Sequence, residues 1–182
     1  LEWCVVYSVS SESDLAGLSG QAKVLACRHC GRIGTLNSHG RLKTKTGEVR
    51  GLRLWCSSRR KGRPGCGRSF SIWLCSVIPR HSVGADTLSE FLAFWSRSGG
   101  NVLAAWERAG TGFSTDSAYR WVKGLIRNQG EVRTRLSRVR APPLPAKGDV
   151  LADLFEHLAE VLESPHFIKT FQLRFQQPWP MR

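Results

Sequence analysis

The pattern of apolar residues along the chain changes once, from a period of two before position 79 to a helical period after position 86. Before the change, Leu52 and Leu54 alternate with Arg53, and apolar residues alternate again between positions 69 and 74. Alternating runs that are separated by glycine indicate half-buried strands with tight turns between them. We therefore predict three short antiparallel strands within residues 23–78.

After the change, apolar residues recur at intervals of three and four, which indicates three amphipathic helices. The predicted helix boundaries lie at residues that cap or end helices, namely Gly99, Gly100, Asn101, Gly110, and Ser114 or Thr115. The positions predicted to be buried are Leu88, Phe91, Leu92 and Trp95, then Val102, Ala105, Trp106 and Ala109, then Ala118, Trp121, Val122 and Leu125.

Two short helices joined by a glycine-containing turn, with a supporting helix before them, are typical of a helix-turn-helix domain. We assign this domain to residues 86–140, of which 131–140 are a basic extension. A three-helix bundle without a DNA-binding role has the same pattern and remains the alternative. In the DNA-binding interpretation Arg120 contacts guanine, while Lys123 and Arg127 hold phosphates. The outward-facing residues of the third helix are Thr115, Ser117, Arg120, Lys123 and Arg127.

The remaining segments flank these two modules. Residues 1–22 run into serine and glycine and are expected to be loosely ordered. Residues 141–146 contain three prolines and are predicted to be a linker, because proline cannot continue a helix. Residues 147–182 predict a separate acidic amphipathic helix over 147–163, followed by a loose tail. This helix either packs back on the chain, pairs with a second copy or neutralises the basic residues.

Four of the cysteines have the spacing of a metal site. Cys27 and Cys30 form a C-x2-C pair, and Cys56 and Cys66 supply a second pair of thiols after 25 intervening residues. Two turns that each present two thiolates suit a tetrahedral structural zinc ion, with sulfur at about 2.3 Å from the metal. The segment that contains these cysteines has about 50 residues, with many glycines and arginines, and a segment so small needs a metal to supplement its core.

The nine residues between Cys56 and Cys66 form the most basic segment of the chain. We expect them to project as a loop, whose fixed base lowers the ordering cost of contacting phosphates. The loop cations predicted to contact DNA are Arg59, Arg60, Lys61 and Arg63. The alternative metal ligands are His29, His39 and Cys75, of which Cys75 is better suited to be a buried thiol.

The net positive charge is concentrated around the cysteines. The formal net charge is +13, and residues 23–80 contain fourteen Lys or Arg against one acidic residue, Glu48. The thirteen basic and thirteen acidic residues elsewhere cancel. A surface of one sign repels itself, so the distribution indicates a polyanionic partner. A solvated basic face is the alternative interpretation.

Composition also excludes several classes of protein. A hydrophobic content of 41% excludes wholesale disorder, and no apolar run reaches the ~18 residues of a membrane span. There is no basic segment followed by an apolar stretch, as in a signal peptide. The C-x2-C spacing and the basic charge argue against a disulfide-rich secreted chain. We therefore expect a soluble, intracellular, reduced protein.

Together, these motifs resemble a known family. They are C-R-H-C-G-R from position 27, C-G-R-S-F-S from position 66, and Y-R-W from position 119. Over residues 24–128 the chain is similar to the N-terminal DNA-binding part of bacterial insertion-sequence transposases, and to small zinc-ribbon proteins that some such elements encode. The resemblance implies binding to terminal inverted repeats or repression of a promoter, in the nucleoid of the bacterial cytoplasm. It also implies a transposase as a partner for the 147–163 helix.

The chain departs from that family in three ways. The nine-residue insertion is long, and the A-G-T-G-F turn is longer than in a compact helix-turn-helix. The family's catalytic domain, with three separated carboxylates that hold two metal ions, has no counterpart in the 42 residues after Arg140. We therefore expect no nuclease activity and no other enzymatic activity.

The sequence thus predicts an α+β protein with a zinc ribbon over 23–78, a helix-turn-helix domain and a separate C-terminal helix. The predicted function is zinc-stabilised, sequence-specific binding of double-stranded DNA, at the ends of a mobile element or as a repressor. The alternative is a zinc-ribbon protein that binds RNA or the ribosome, since ribbons with basic loops serve there too.

Overall fold

The structure of the chain is a computed structural model that describes residues 6–59, 62, 64–143 and 150–181. The described residues form a four-stranded sheet and six α-helices, which confirms the α+β class. The chain divides into two compact units. The first contains residues up to 79 together with 176–178, and the second contains residues 80–175 together with those from 179 onwards.

A single sheet forms the framework of the first unit. Its strands are β1 (Ser8–Val9), β2 (Leu36–Lys43), β3 (Val49–Cys56) and β4 (Ser69–Leu74). The strand order is β1-β4-β3-β2. Strands β2, β3 and β4 pair in antiparallel fashion, as the alternating pattern predicted. Strand β1 pairs with β4 in parallel, which the sequence did not predict.

One face of this sheet forms the hydrophobic core of the first unit. Leu52, Leu54 and Ile72 are each at most 1% exposed, and Leu36 is fully buried. Arg53, between the two buried leucines, is exposed. Because successive side chains of a strand point to opposite faces, the alternation in sequence becomes one buried face and one solvated face.

The segment before residue 22 was expected to be loosely ordered, and for its described part this expectation is wrong. Helix α1 (Glu12–Gly20) follows β1 directly. The hydroxyl of Ser11 accepts a hydrogen bond from the N–H of Asp14 at 3.2 Å, and the Asp14 carboxylate accepts one from the Ser11 N–H at 2.9 Å. This capping box begins the helix, and Leu15 inserts into the core at 2% exposure. The segment is therefore part of the first unit.

Five helices form the described part of the second unit. They are α2 (Ala85–Arg97), α3 (Val102–Ala109), α4 (Thr115–Ser137), α5 (Val150–Leu162) and α6 (Phe167–Phe175). The apolar positions predicted for the first and third helices are all buried, whereas in the second helix only Ala105 is buried and Val102, Trp106 and Ala109 are half-buried. The predicted basic extension continues α4 without a break up to Ser137, because Val132 and Leu136 are buried on its inner side.

The turns around α3 form where the sequence predicted them. The side chain of Asn101 accepts a hydrogen bond from the N–H of Ala104 at 3.0 Å and caps the helix. Gly110 ends α3 in the left-handed conformation, with φ of 57°. The indole N–H of Trp106 then donates to the carbonyl of Phe113 at 2.8 Å, which holds the turn before α4.

The C-terminal helix was predicted to be separate, and this prediction is wrong. Helix α5 belongs to the same compact unit as α2, α3 and α4, and it buries Leu154, Leu158, Val161 and Leu162. Its apolar stripe therefore packs back on the chain, which was one of the three alternatives. Positions 144–146 of the predicted linker lie outside the described residues.

The residues after α5 were predicted to be a loose tail, and they form instead a second part of the core. The N–H of Ile168, in α6, donates to the hydroxyl of the buried residue Ser89 at 3.2 Å. Trp179 is 2% exposed and packs against Phe167 and Phe171, with ring centroids 5.7 Å and 5.1 Å apart. Aromatic rings supply enough apolar area here to order a short terminal segment.

Replacing Trp179 tests whether the C-terminal segment belongs to the core. Trp179→Ala removes a buried ring and should lower the free energy of unfolding by about 3–5 kcal/mol. Ile126→Ala, at an exposed position on α4, should change it by less than about 0.5 kcal/mol. Denaturant unfolding of both variants provides the comparison. An equally small effect of the two substitutions would show that the tail is loose.

Candidate metal centre

The four cysteines of the first unit lie together in an arrangement that could hold a metal ion. The sulfur atoms of Cys27, Cys30, Cys56 and Cys66 are all within 4.8 Å of one another. The Cys27 and Cys66 sulfurs are 3.7 Å apart, and those of Cys30 and Cys56 are 3.8 Å apart. Four sulfurs at about 2.3 Å from a tetrahedral ion would be separated by about 3.8 Å. The measured distances fit that geometry.

The first pair of cysteines is held in a tight turn by backbone hydrogen bonds. The N–H of Gly31 donates to the carbonyl of Cys27 at 2.7 Å, and the N–H of Cys27 donates to the carbonyl of Arg32 at 3.0 Å. Gly31 has a φ of 69°, in the left-handed region that favours glycine. The turn therefore directs both sulfurs to the same side.

The second pair repeats this arrangement despite its insertion. The N–H of Gly67 donates to the carbonyl of Cys56 at 3.0 Å, and the N–H of Cys56 donates to the carbonyl of Arg68 at 2.9 Å. Gly67 has a φ of 72°. The sequence signal for the match is a Cys-Gly-Arg triplet that occurs in each turn, at positions 30–32 and 66–68.

A hydrogen bond closes the inserted loop at its base. The N–H of Gly65 donates to the carbonyl of Ser57 at 2.7 Å. Ser57 and Gly65 therefore occupy the two places that Arg28 and His29 occupy in the first turn. A Cβ at Gly65 would lie 2.4 Å from the Cys56 sulfur and 2.6 Å from the Ser57 carbonyl, so only glycine fits.

The environments of the four sulfurs differ. Cys27 and Cys56 are 1% and 0% exposed, whereas Cys66 is exposed. Burial raises the pKa of Cys27 to about 12, while a hydrogen bond from the backbone N–H of Arg32 lowers the pKa of Cys30 to about 7. The Cys56 sulfur is 3.2 Å from the N–H of Cys66, which donates to it. A cation bound among the sulfurs would stabilise all of them as thiolates.

The alternative ligands lie elsewhere. Cys75 is buried, and its thiol donates to the carbonyl of Ser10 at 3.9 Å, outside the group of four sulfurs. The ring of His29 packs edge-on against Phe70, and its Nε2 lies 3.4 Å from the carbonyl of Ser69. The structure therefore groups the four cysteines that the sequence favoured, without a histidine among them.

The residues predicted to contact DNA are divided between the two units. Arg59 lies in the first unit, with its guanidinium 5.8 Å from the centre of the Trp55 ring. The other predicted loop cations, Arg60, Lys61 and Arg63, lie outside the described residues. In the second unit Thr115 and Ser117 are half-buried, whereas the three cations of α4 that were predicted to contact DNA are exposed, namely Arg120, Lys123 and Arg127.

Comparison of the chain with protein-family models, with curated proteins and with solved structures finds no match. Among the described residues, no helix has both the length and the apolar character needed to cross a membrane. The structure therefore shows an α+β chain with a candidate four-cysteine metal centre.

Replacing Gly65 with alanine tests how closely the base of the inserted loop packs against the four-cysteine centre. In Gly65→Ala the new methyl group would displace the Cys56 sulfur, so we expect metal affinity to fall by about tenfold to 100-fold. Competition with a chromogenic chelator measures this affinity. The matched control is Gly17→Ala in α1, where a Cβ meets nothing within 4 Å. Helix propensity predicts about 1 kcal/mol of added stability for that control, with metal affinity unchanged. Equal affinities of the two variants would contradict the proposed fit.

Proposed function

We propose that the protein is a zinc-stabilised, sequence-specific DNA-binding protein, related to transposases and without catalytic activity of its own. In this role it binds the ends of a mobile element or represses a promoter. The observation that carries the proposal is the four-cysteine centre, because it fixes the base of the most basic loop of the chain. Three further properties of the molecule support it.

The first property is the chemistry of the donor set. Four thiolates with tetrahedral spacing are typical of structural zinc, which needs soft ligands and has no preference for another geometry. Such a site has no open coordination position for a substrate or an activated water molecule. The centre is therefore suited to stabilising a small unit, and this supports a binding role for the protein.

The second property is the exposed charge of the first unit. The structure describes ten cationic side chains between positions 23 and 68, and nine of them are exposed. The exposed ones are Lys23, Arg28, Arg32, Arg41, Lys43, Lys45, Arg53, Arg59 and Arg68. Phosphates would relieve the mutual repulsion of these cations, and counterion release would add to the affinity for a nucleic acid.

The third property is the arrangement of helices in the second unit. Helices α3 and α4 are joined by a turn at residues 110–114, which is longer than in a compact helix-turn-helix, and α2 precedes them. This order matches the helix-turn-helix interpretation, in which α4 contacts DNA. Ser117, Arg120, Lys123 and Arg127 recur at intervals of three and four and lie on one side of α4, where phosphates and base edges can be reached together.

Metal analysis tests the zinc part of the proposal. Purified protein should contain one zinc ion per chain, with four sulfur ligands at about 2.3 Å by X-ray absorption. Cys56→Ser should lose the ion, and chelation should lower the melting temperature because metal binding contributes to folding. Cys75→Ser is the matched control, since it changes another buried cysteine outside the centre. Full zinc occupancy in Cys56→Ser, or a melting curve that chelation leaves unchanged, would count against structural zinc.

Selection from random DNA duplexes, at stated salt concentrations, tests the DNA part. The zinc-loaded full chain should enrich one sequence motif. Its affinity should fall by about 10³-fold or more between roughly 50 mM and 200 mM salt, as expected for several phosphate contacts. Enrichment of no motif, together with tighter binding to structured RNA, would refute the proposal in favour of an RNA-binding role. A motif that survives in the Arg120→Gln variant would show that Arg120 does not read a base.

A further inference from the structure

A cavity of about 420 Å³ lies within the second unit, beside the outer side of α4. One wall is the segment Arg80–Ser82, which precedes α2. The opposite wall is α4, from Ser117 to Arg127. Cavities of this size hold small ligands in many proteins. No residue of the metal centre lines it.

The cavity has a strongly cationic lining. Arg80, Arg120, Lys123 and Arg127 all line it and are exposed, and there is no acidic residue among its lining residues. Within the part of the chain that the structure describes, none of these four cations forms an ion pair with a carboxylate. Four positive charges around one space repel one another, and an anion in the cavity would relieve that repulsion.

Met181, in the C-terminal segment, also lines the cavity. Met181 is 8% exposed and lies against Gly124, where a Cβ would be 3.3 Å from the Met181 side chain. The Nε2 atom of His81 lies 3.0 Å from the Met181 carbonyl, and the ring donates when that nitrogen is protonated. The terminal segment therefore turns one side of α4 into a recess.

The backbone of Arg80 adds a second, independent observation. Arg80 has a φ of 70°, in the left-handed region that residues other than glycine rarely adopt. Glycine would take this conformation without strain, and the chain has an arginine there that lines the cavity. Strained positions of this kind concentrate at binding sites, where the surrounding structure holds them in place.

We infer that this cavity binds phosphate groups, as those of a polyphosphate, a nucleotide or a nucleic-acid backbone. Arginine presents several donors in a planar fork that matches phosphate oxygens, and lysine adds a point charge. The hydroxyls of Ser82 and Ser117 lie at the same cavity and can donate to the same oxygens. The cavity shares Ser117, Arg120, Lys123 and Arg127 with the side of α4 that the proposed function assigns to DNA, so the inference deepens that function by adding Arg80 and Ser82. Phosphate binding in the cavity by itself requires neither zinc nor recognition of a DNA sequence.

Titration of the zinc-loaded full chain with tripolyphosphate, at constant ionic strength, tests the cavity directly. We expect saturable binding of one equivalent. Lys123→Gln and Arg80→Gln should each weaken it by about tenfold, since each removes one charged hydrogen-bond donor. Arg138→Gln removes an exposed cation at the end of α4, outside the cavity, and should leave the affinity unchanged.

Two results would overturn the inference. One is the absence of saturable binding to the wild-type chain, and the other is an equal loss of affinity in Arg138→Gln and in the two cavity variants. Melting curves of all variants establish that each is folded. Lys123→Gln changes only an exposed side chain, so it remains informative even when Arg80→Gln lowers the melting temperature.

Competition between a DNA duplex and tripolyphosphate identifies the source of the phosphate groups. Displacement of bound duplex by tripolyphosphate, with a salt slope reduced by about one in Arg80→Gln, assigns the cavity to a nucleic-acid backbone. Simultaneous binding of duplex and tripolyphosphate assigns it to a small free ligand. If the wild-type chain binds no duplex, the proposed function fails. The tripolyphosphate titration still decides whether the cavity binds phosphate groups.

Discussion

The fold of the first unit brings four cysteine sulfur atoms within 4.8 Å of one another. The cysteines come from two turns that are far apart in sequence, and both turns must have the same backbone geometry. In each, a glycine with positive φ donates to the first cysteine, and an arginine carbonyl closes the turn. The three-stranded antiparallel part of the sheet then connects the turns, so that its short core and the centre support one another.

Local sequence patterns predict much of this architecture. The alternation of apolar residues around Arg53 indicates a strand with one buried face. The recurrence of apolar residues at intervals of three and four from Leu88 indicates a helix with one buried side. Cysteine spacing likewise identifies the four residues that lie together. These signals are strong because each depends on chemistry within a few residues, such as pleat, helical repeat or ligand preference.

The predictions that were wrong share one physical cause, which is packing between parts of the chain that are distant in sequence. A serine-rich start becomes ordered because Leu15 has a core to enter and Ser11 has a partner three residues on. Trp179 becomes buried because Phe167 and Phe171 lie nearby in the fold. The cavity beside α4 was missed for the same reason, since Arg80 and Met181 are 101 positions apart in the chain. Residue type alone does not reveal such neighbours.

The hydrogen bond at the base of the inserted loop bears on two properties of the second turn, which are the geometry of its cysteines and the length and charge of its insertion. One hydrogen bond, from the N–H of Gly65 to the carbonyl of Ser57, closes the second turn at the base of the insertion. Loop closure costs rise only slowly with length. We therefore expect segments of other lengths and charges to be compatible with the same turn, because the hydrogen bond that closes it involves only the backbones of Ser57 and Gly65. A new binding preference could arise at this point without rebuilding the fold.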